Sequence, residues 1–179
     1  MLTLFKRNKK KFFDALYRQY ADQLFLLVLR YVASEFDAEE VLQRGFIKAY
    51  EHLNSFDHQN EKATKGWLTK IMINESLLFL REQKRIDFPD NLLTMEHQIS
   101  QSPEAEAALN YETCLQLVRQ LPDGYRAVFN LFVIEGYSHK EIASLLNITD
   151  GTSRSQLNKA RTLLQKKIKT LDYETERVG

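Results

Sequence analysis

Cysteine is all but missing from this chain, with Cys114 standing alone. A single thiol excludes an internal disulfide and any zinc site built on cysteine. Free cysteine is usually a small buried hydrophobe, so Cys114 is expected in the core. His52, His58, His97 and His139 are scattered without metal-ligand spacing, and no metal or cofactor is expected. Proline and glycine are scarce, at three and six residues, and strict alternation of apolar and polar residues is almost absent. Both shortages argue against hairpins and sheets and for an all-α protein. Long apolar runs are lacking too: stretches such as Leu24 to Leu29 fall far short of the roughly 20 residues that cross a bilayer. No signal-peptide cleavage pattern follows the N-terminus, so a cytoplasmic protein without membrane insertion is expected. Finally, no nucleophile triad, metal cluster or glycine-rich phosphate loop appears, so neither catalysis nor a small-molecule substrate is expected.

What is present is 44% hydrophobic residues in 179, enough for one or two small folded domains. The net charge of +1 hides sharp blocks. Residues 5–30 carry seven Lys/Arg against two acids, residues 35–51 five acids against two bases, and residues 62–85 six bases against two acids. Residues 86–107 then carry five acids and no Lys or Arg, and residues 138–170 seven bases against two acids. Any one block can be a solvated helix face, but their alternation suggests different partners for different surfaces, with nucleic acid for the basic ones.

Helical periodicity divides the chain. A first helix is expected from about Lys9 to Val32, burying Phe13, Leu16, Tyr17, Tyr20, Leu24, Leu27, Val28 and Tyr31. Asp37 and Glu40 form a capping signature for a second helix through Leu53, burying Val41, Leu42, Phe46, Ala49 and Tyr50. Thr64 is expected to cap a third, from Lys65 to about Arg85, with Trp67, Leu68, Ile71, Met72, Leu78 and Phe79 as core. Residues 87–107 lose the period and read as a flexible acidic linker. A fourth helix runs from Ala108 to Leu121, where Pro122 and Gly124 stop it, and a fifth from Tyr125 to about Glu135 before Gly136. The expected domains are residues 1–86, with three helices, and residues 108–179, with four.

The last two helices are written in SHKEIASLLNITDGTSRSQLNKAR, residues 138–161. Ser138 and Glu141 make a capping box, Asn147 suits a left-handed helix end, and Thr149 with Thr152 can start the next helix. Two short helices joined by a tight turn form a helix-turn-helix. Leu157, Ala160 and Leu164 are expected inward, with Ser153, Arg154, Gln156 and Lys159 outward. Arginine can fork onto guanine, glutamine can pair with adenine, and lysine can hold phosphate. An ordinary helical hairpin with a solvated basic face would produce the same local pattern.

Four blocks in order and spacing narrow the choice: DAEEVLQRGFIKAY (37–50), GWLTKIMINESLLFLREQKR (66–85), LVRQLP (117–122) and YSHKEIASLLNITDGTSRSQLNKAR (137–161). They resemble the extracytoplasmic-function (ECF, group IV) sigma factors, the smallest branch of the sigma-70 family. The resemblance implies a sigma2-like and a sigma4-like domain that bind core RNA polymerase, through the clamp coiled coil of its β′ subunit and its β flap, and direct it to promoter DNA. An anti-sigma factor is a further partner it allows. It places Asp37, Glu40 and Gln43 on the polymerase. At the −10 element it places Phe56 in a loop that captures a flipped base, with Asn74 on a base edge and Lys70, Arg81, Lys84 and Arg85 on phosphates. At the −35 element it places Ser153, Arg154, Ser155 and Gln156 on bases, with Lys159 and Arg161 on phosphate. Departures from the usual family residues stand at Arg44, Gly45, Ile73, Leu78, Ser153 and Gln156, and the last two are expected to set promoter choice. A free-standing helix-turn-helix regulator leaves residues 37–50 and the acidic linker unexplained. A decoy that only sequesters an anti-sigma factor leaves Arg154, Gln156, Lys159 and Arg161 unexplained.

Overall fold

In a computed structural model the described residues are 2–56, 60–83 and 111–176, and every regular element among them is helical. The chain divides into two compact units, Met1–Lys84 and Arg85–Gly179. The expected linker, 87–107, and the expected helix start at Ala108 lie outside the described residues.

The first unit is a three-helix bundle of α1 (Leu2–Val32), α2 (Glu35–His52) and α3 (Glu61–Glu82), with a single 3-10 turn at Leu53–Ser55. Leu16, Tyr20, Leu24, Leu27, Val28 and Tyr31 of α1 pack against Val41, Leu42, Phe46 and Ala49 of α2 and Leu68, Met72, Leu77 and Leu80 of α3 to make its core. Tyr17 and Tyr50, expected inside, are exposed, and Trp67, Ile71 and Leu78 are half-buried. Phe13 meets Tyr50 edge to face, and Tyr17 leans on Phe46, so these rings cover the seam between α1 and α2. Across the α2–α3 seam the buried Glu75 carboxylate is held by Lys48 at 2.5 Å.

Two helix starts differ from those the sequence suggests. Ala33 takes a left-handed φ of 65°, and Ser34 then caps α2, its hydroxyl accepting from the Asp37 N–H at 3.3 Å. Asp37 therefore lies inside the first turn. Likewise Asn60, not Thr64, caps α3, its Oδ1 accepting from the Ala63 N–H at 2.8 Å. Thr64 is buried one turn inside, its hydroxyl donating to the Asn60 carbonyl at 3.0 Å. Asn ranks above Thr as a helix cap and Ser equals Asp, so in both helices the more N-terminal residue caps at no disadvantage.

The second unit contains α4 (Tyr111–Arg119), α5 (Asp123–Phe129), a π-helical segment (Asn130–Ile134), α6 (His139–Leu146) and α7 (Asp150–Glu176). Leu117, Val118, Leu121, Val128, Leu131, Ile142, Leu146, Leu157 and Ala160 are its core. Cys114 is exposed, a correction to its expected burial: it stands in the first turn of α4, one turn before the point where Leu117 and Val118 enter the core. The buried Arg126 guanidinium donates to the Leu121 carbonyl at 2.7 Å and the Arg119 carbonyl at 3.1 Å, and pairs with Asp123. It thereby satisfies the carbonyls that the end of α4 leaves open.

Candidate functional site

The helix-turn-helix is assembled by the local signals read from its sequence. Ser138 Oγ accepts from the Glu141 N–H while the Glu141 carboxylate accepts from the Ser138 N–H at 2.8 Å, completing the capping box. Asn147 ends α6 at φ 55°, in the left-handed region. Thr149 Oγ1 then accepts from the Thr152 N–H at 3.0 Å and opens the turn into α7.

The rotation of α7 decides which side chains reach outward. Leu157 and Ala160 are buried, and Ser153 and Gln156 are buried beside them. The expected outward placement of Ser153 and Gln156 is therefore corrected. Ser153 lies four residues before Leu157 and Gln156 four before Ala160, and residues at this spacing share a helix face. Neither can serve as an exposed base contact. Ser153 Oγ is instead hydrogen-bonded to His139 Nδ1 at 2.8 Å. Arg154 is exposed and tied to Asp150 at 2.9 Å, Arg161 is exposed with its guanidinium 6.0 Å from the Phe132 ring centroid, and Ser155 and Lys159 are half-buried. Polar Asn158, not singled out from the sequence, is exposed one turn after Arg154. Its spacing of four from Arg154 was the signal that could have found it.

Desolvation lowers the His139 pKa below its ordinary value, and the nearby Arg154 and Arg161 lower it further against an opposing effect of Asp150. These effects favour the neutral form of the ring at the start of α6.

In the first unit the expected −10 residues fall on α3 and the loop before it. Lys70, Asn74 and Arg81 are exposed at spacings of four and seven, whereas Leu77 between them is buried. Lys84 and Arg85 lie outside the described residues. Phe56 is stacked on Trp67, centroids 4.2 Å apart and planes 11° from parallel, so Trp67 supports the loop ring as well as the bundle. Ile73 is buried, which accounts for an apolar residue there.

The acidic face of α2 is not purely acidic. Glu40 and Gln43 lie on one stripe with Phe36, 77% exposed, and Ile47, 60% exposed. Asp37 is at its margin, and neither apolar residue was picked out from the sequence, because the charges drew the reading. Arg44 follows Gln43 and holds Glu40 at 2.6 Å and Glu82 of α3 at 2.7 Å. Those two carboxylates raise its pKa, the hydrogen bond it donates to Glu82 foremost. Gly45 is buried against Met72, where a Cβ would come within 2.3 Å of the sulfur. Both departures in this block are therefore packing features of the α2–α3 seam. No helix among the described residues is long and apolar enough to cross a membrane.

Comparisons with known proteins cover both units. The family model for sigma-70 region 2 matches residues 16–86, and that for sigma-70 region 4 matches residues 112–164. The RNA polymerase sigma-H factor of Pseudomonas aeruginosa is 32% identical over 179 residues, spanning 93% of this chain and 91% of that one. The ECF RNA polymerase sigma factor SigW of Bacillus subtilis is 32% identical over 164 residues, spanning 85% and 86% respectively. Among solved structures, the sigma factor RpoE of Bartonella quintana, in complex with the anti-sigma factor NepR, has the same fold. It has a TM-score of 0.52 at 22% identity, over 89% of this chain and 98% of that one. With region 2 on one helical unit, region 4 on the other and relatives that match nearly end to end, the chain belongs to the sigma-70 family and is an RNA polymerase sigma factor of the ECF type.

Proposed function

We propose that this chain is a group IV sigma factor working as a bipartite promoter reader in the cytoplasm, with no catalysis of its own. Residues 1–86 form the polymerase- and −10-binding domain, residues 87–107 a tether, and residues 108–179 the −35-binding domain. The observation that carries this reading is the exposed set Arg154, Asn158 and Arg161 on the second helix of a complete helix-turn-helix, in a chain whose other unit matches region 2. An Arg and an Asn one turn apart suit the major groove, where Arg reads guanine and Asn reads adenine. Arg161 and Lys159 hold phosphate and set register.

The α2 stripe of Phe36, Glu40, Gln43 and Ile47 docks the clamp coiled coil of the polymerase β′ subunit, and the second unit meets the β flap. On α3, Asn74 reads a base edge while Lys70 and Arg81 grip phosphates. The Phe56–Trp67 pair receives the flipped base, whose unstacking costs a few kcal/mol, offset in part by the new stacking. The solved relative is held by an anti-sigma factor, and we extend control by such a partner to this chain.

Reconstitution tests the reading. The purified chain with core polymerase is expected to give run-off transcripts from a subset of promoters of its source genome. No co-purification with core and no run-off product would overturn it. Tight binding to a promoter duplex without polymerase would favour a free-standing regulator instead.

A further inference from the structure

We propose that His139 is the positioning residue of the DNA reader, bonding Ser153 and so setting the rotation of α7 that turns Arg154 and Asn158 outward. The inference rests on the reading of α7 as the promoter-facing helix. Three elements meet at this ring. His139 is the first residue of α6, directly after the Ser138 cap. Its imidazole stacks on Phe132 of the π-helical segment, centroids 4.4 Å apart and planes 21° from parallel. Its Nδ1 lies 2.8 Å from Ser153 Oγ in the first turn of α7.

Ser153 is fully buried, and a buried hydroxyl is tolerated only when it is paired. Successive helix residues turn by about 100°, so a helix pinned inward at Ser153 and again at Leu157 has its rotation fixed. Arg154 and Asn158, each one residue past a pinned position, then share the outward edge. A helix free to roll by a fraction of that step would carry both side chains away from the base pairs they read. The same Phe132 ring carries the Arg161 guanidinium at 6.0 Å, so the cluster also steadies a phosphate-holding group. The charged groups that act on the imidazole are Arg154, Asp150 and Arg161, all on α7, and the π-helical segment contributes the stacked, uncharged Phe132. A neutral ring can fill this place without repelling the two arginines.

The test uses the full chain with core polymerase and a set of promoter duplexes varied one base pair at a time across the −35 element, at fixed salt. Ser153→Val leaves the imidazole nitrogen without its partner. Discrimination at the base pairs read by Arg154 and Asn158 is expected to fall about fivefold or more, with affinity for non-specific duplex unchanged. His139→Gln, which keeps a polar group but cannot reproduce the stacked ring, is expected to act in the same direction and serves where Ser153→Val does not fold. The double variant His139→Phe with Ser153→Val replaces the polar pair with an apolar contact and is expected to restore discrimination. Wild-type discrimination in folded Ser153→Val or His139→Gln would overturn the inference, and so would a folded double variant no better than Ser153→Val. If the unmodified chain itself fails to discriminate −35 base pairs, the promoter reading of α7 falls, and the role of His139 with it.

Discussion

Arg44 of α2 reaches Glu82 of α3 at 2.7 Å while its second amino group holds Glu40 at 2.6 Å. A base in the middle of the acidic stripe that we propose docks the polymerase therefore serves as an internal tie across the bundle. It also occupies a carboxylate that the docking face would otherwise present.

Arg44→Gln separates these two effects. All three side chains are more than one-third exposed, so losing the pairs should lower stability by no more than about 1 kcal/mol. Releasing Glu40 toward a basic partner is expected to tighten binding to core polymerase, and to do so more at low salt, where screening is weak. A thermal melt reads the first effect and a titration against core polymerase at two salt concentrations the second. Weaker binding would mean that Arg44 touches the polymerase itself.

Phe36 and Ile47 are the apolar members of the same stripe. Interfaces draw most of their energy from a few apolar or aromatic anchors, with rim charges contributing mainly to encounter. Phe36→Ser and Ile47→Ser should each weaken core binding by at least about tenfold while leaving the fold intact, since both side chains are already in solvent. Unchanged affinity in a competition assay for core would remove α2 from the docking face.

Gly45→Ala tests packing against propensity. Alanine gains about 1 kcal/mol in an interior helix position, but its Cβ would press within 2.3 Å of the Met72 sulfur, and Met72 has no exposed surface into which to retreat. Overpacking of this kind costs about 1–3 kcal/mol, so a net loss near 1 kcal/mol is expected in urea unfolding. Met72→Ala should cost about 2–5 kcal/mol alone. The double variant should be less destabilised than the sum, because the two changes share one space. Simple additivity would show that the sulfur does not limit position 45.

How much of this was legible beforehand varies by physical cause. The Ser138–Glu141 box, the left-handed Asn147 and the Thr149 start are short-range signals in which neighbouring residues satisfy one another, and the structure contains all three. Ser153 and Gln156 were misread because polarity outweighed periodicity: Leu157 and Ala160 already marked the inner face they share. Buried polar residues defeat composition-based reading whenever a tertiary partner, here His139, is far away in sequence. Trp67 as a support for Phe56 depends on a loop-to-helix contact that no local pattern encodes. At α3, Asn60 and Thr64 are both competent caps, and the structure uses Asn60, the stronger of the two, leaving Thr64 buried inside the first turns.

The Phe56–Trp67 stack gives a prediction about promoter opening. Base–aromatic stacking contributes about 1–3 kcal/mol per base, so Phe56→Ala should reduce open-complex formation by about tenfold or more on duplex promoters. Trp67→Phe keeps a flat ring behind Phe56 and should act more weakly than Trp67→Ala. The readout is fluorescence of a base analogue placed at the flipped position. Equal opening by Phe56→Ala and the unmodified protein would take this ring out of base capture.

Acid should loosen the second unit in two separate windows. For His139 the folded-state pKa lies below the ordinary value of 6.5, so the unfolded chain binds the proton more readily. Its contribution to stability is complete above about pH 6.5 and declines as the pH falls below that value. Glu141 is also held below its ordinary 4.5, first by the Ser138 hydroxyl and then by its N–H. That contribution is present above about pH 4.5 and is lost only in stronger acid. Melts of the full chain followed from pH 8 down to about pH 2 should therefore show a first decline that His139→Phe with Ser153→Val removes, while the second remains. Glu141→Gln should remove the second and spare the first. A pH profile unaltered by either change would mean that neither the histidine contact nor the capping box governs the acid stability of the DNA-reading unit.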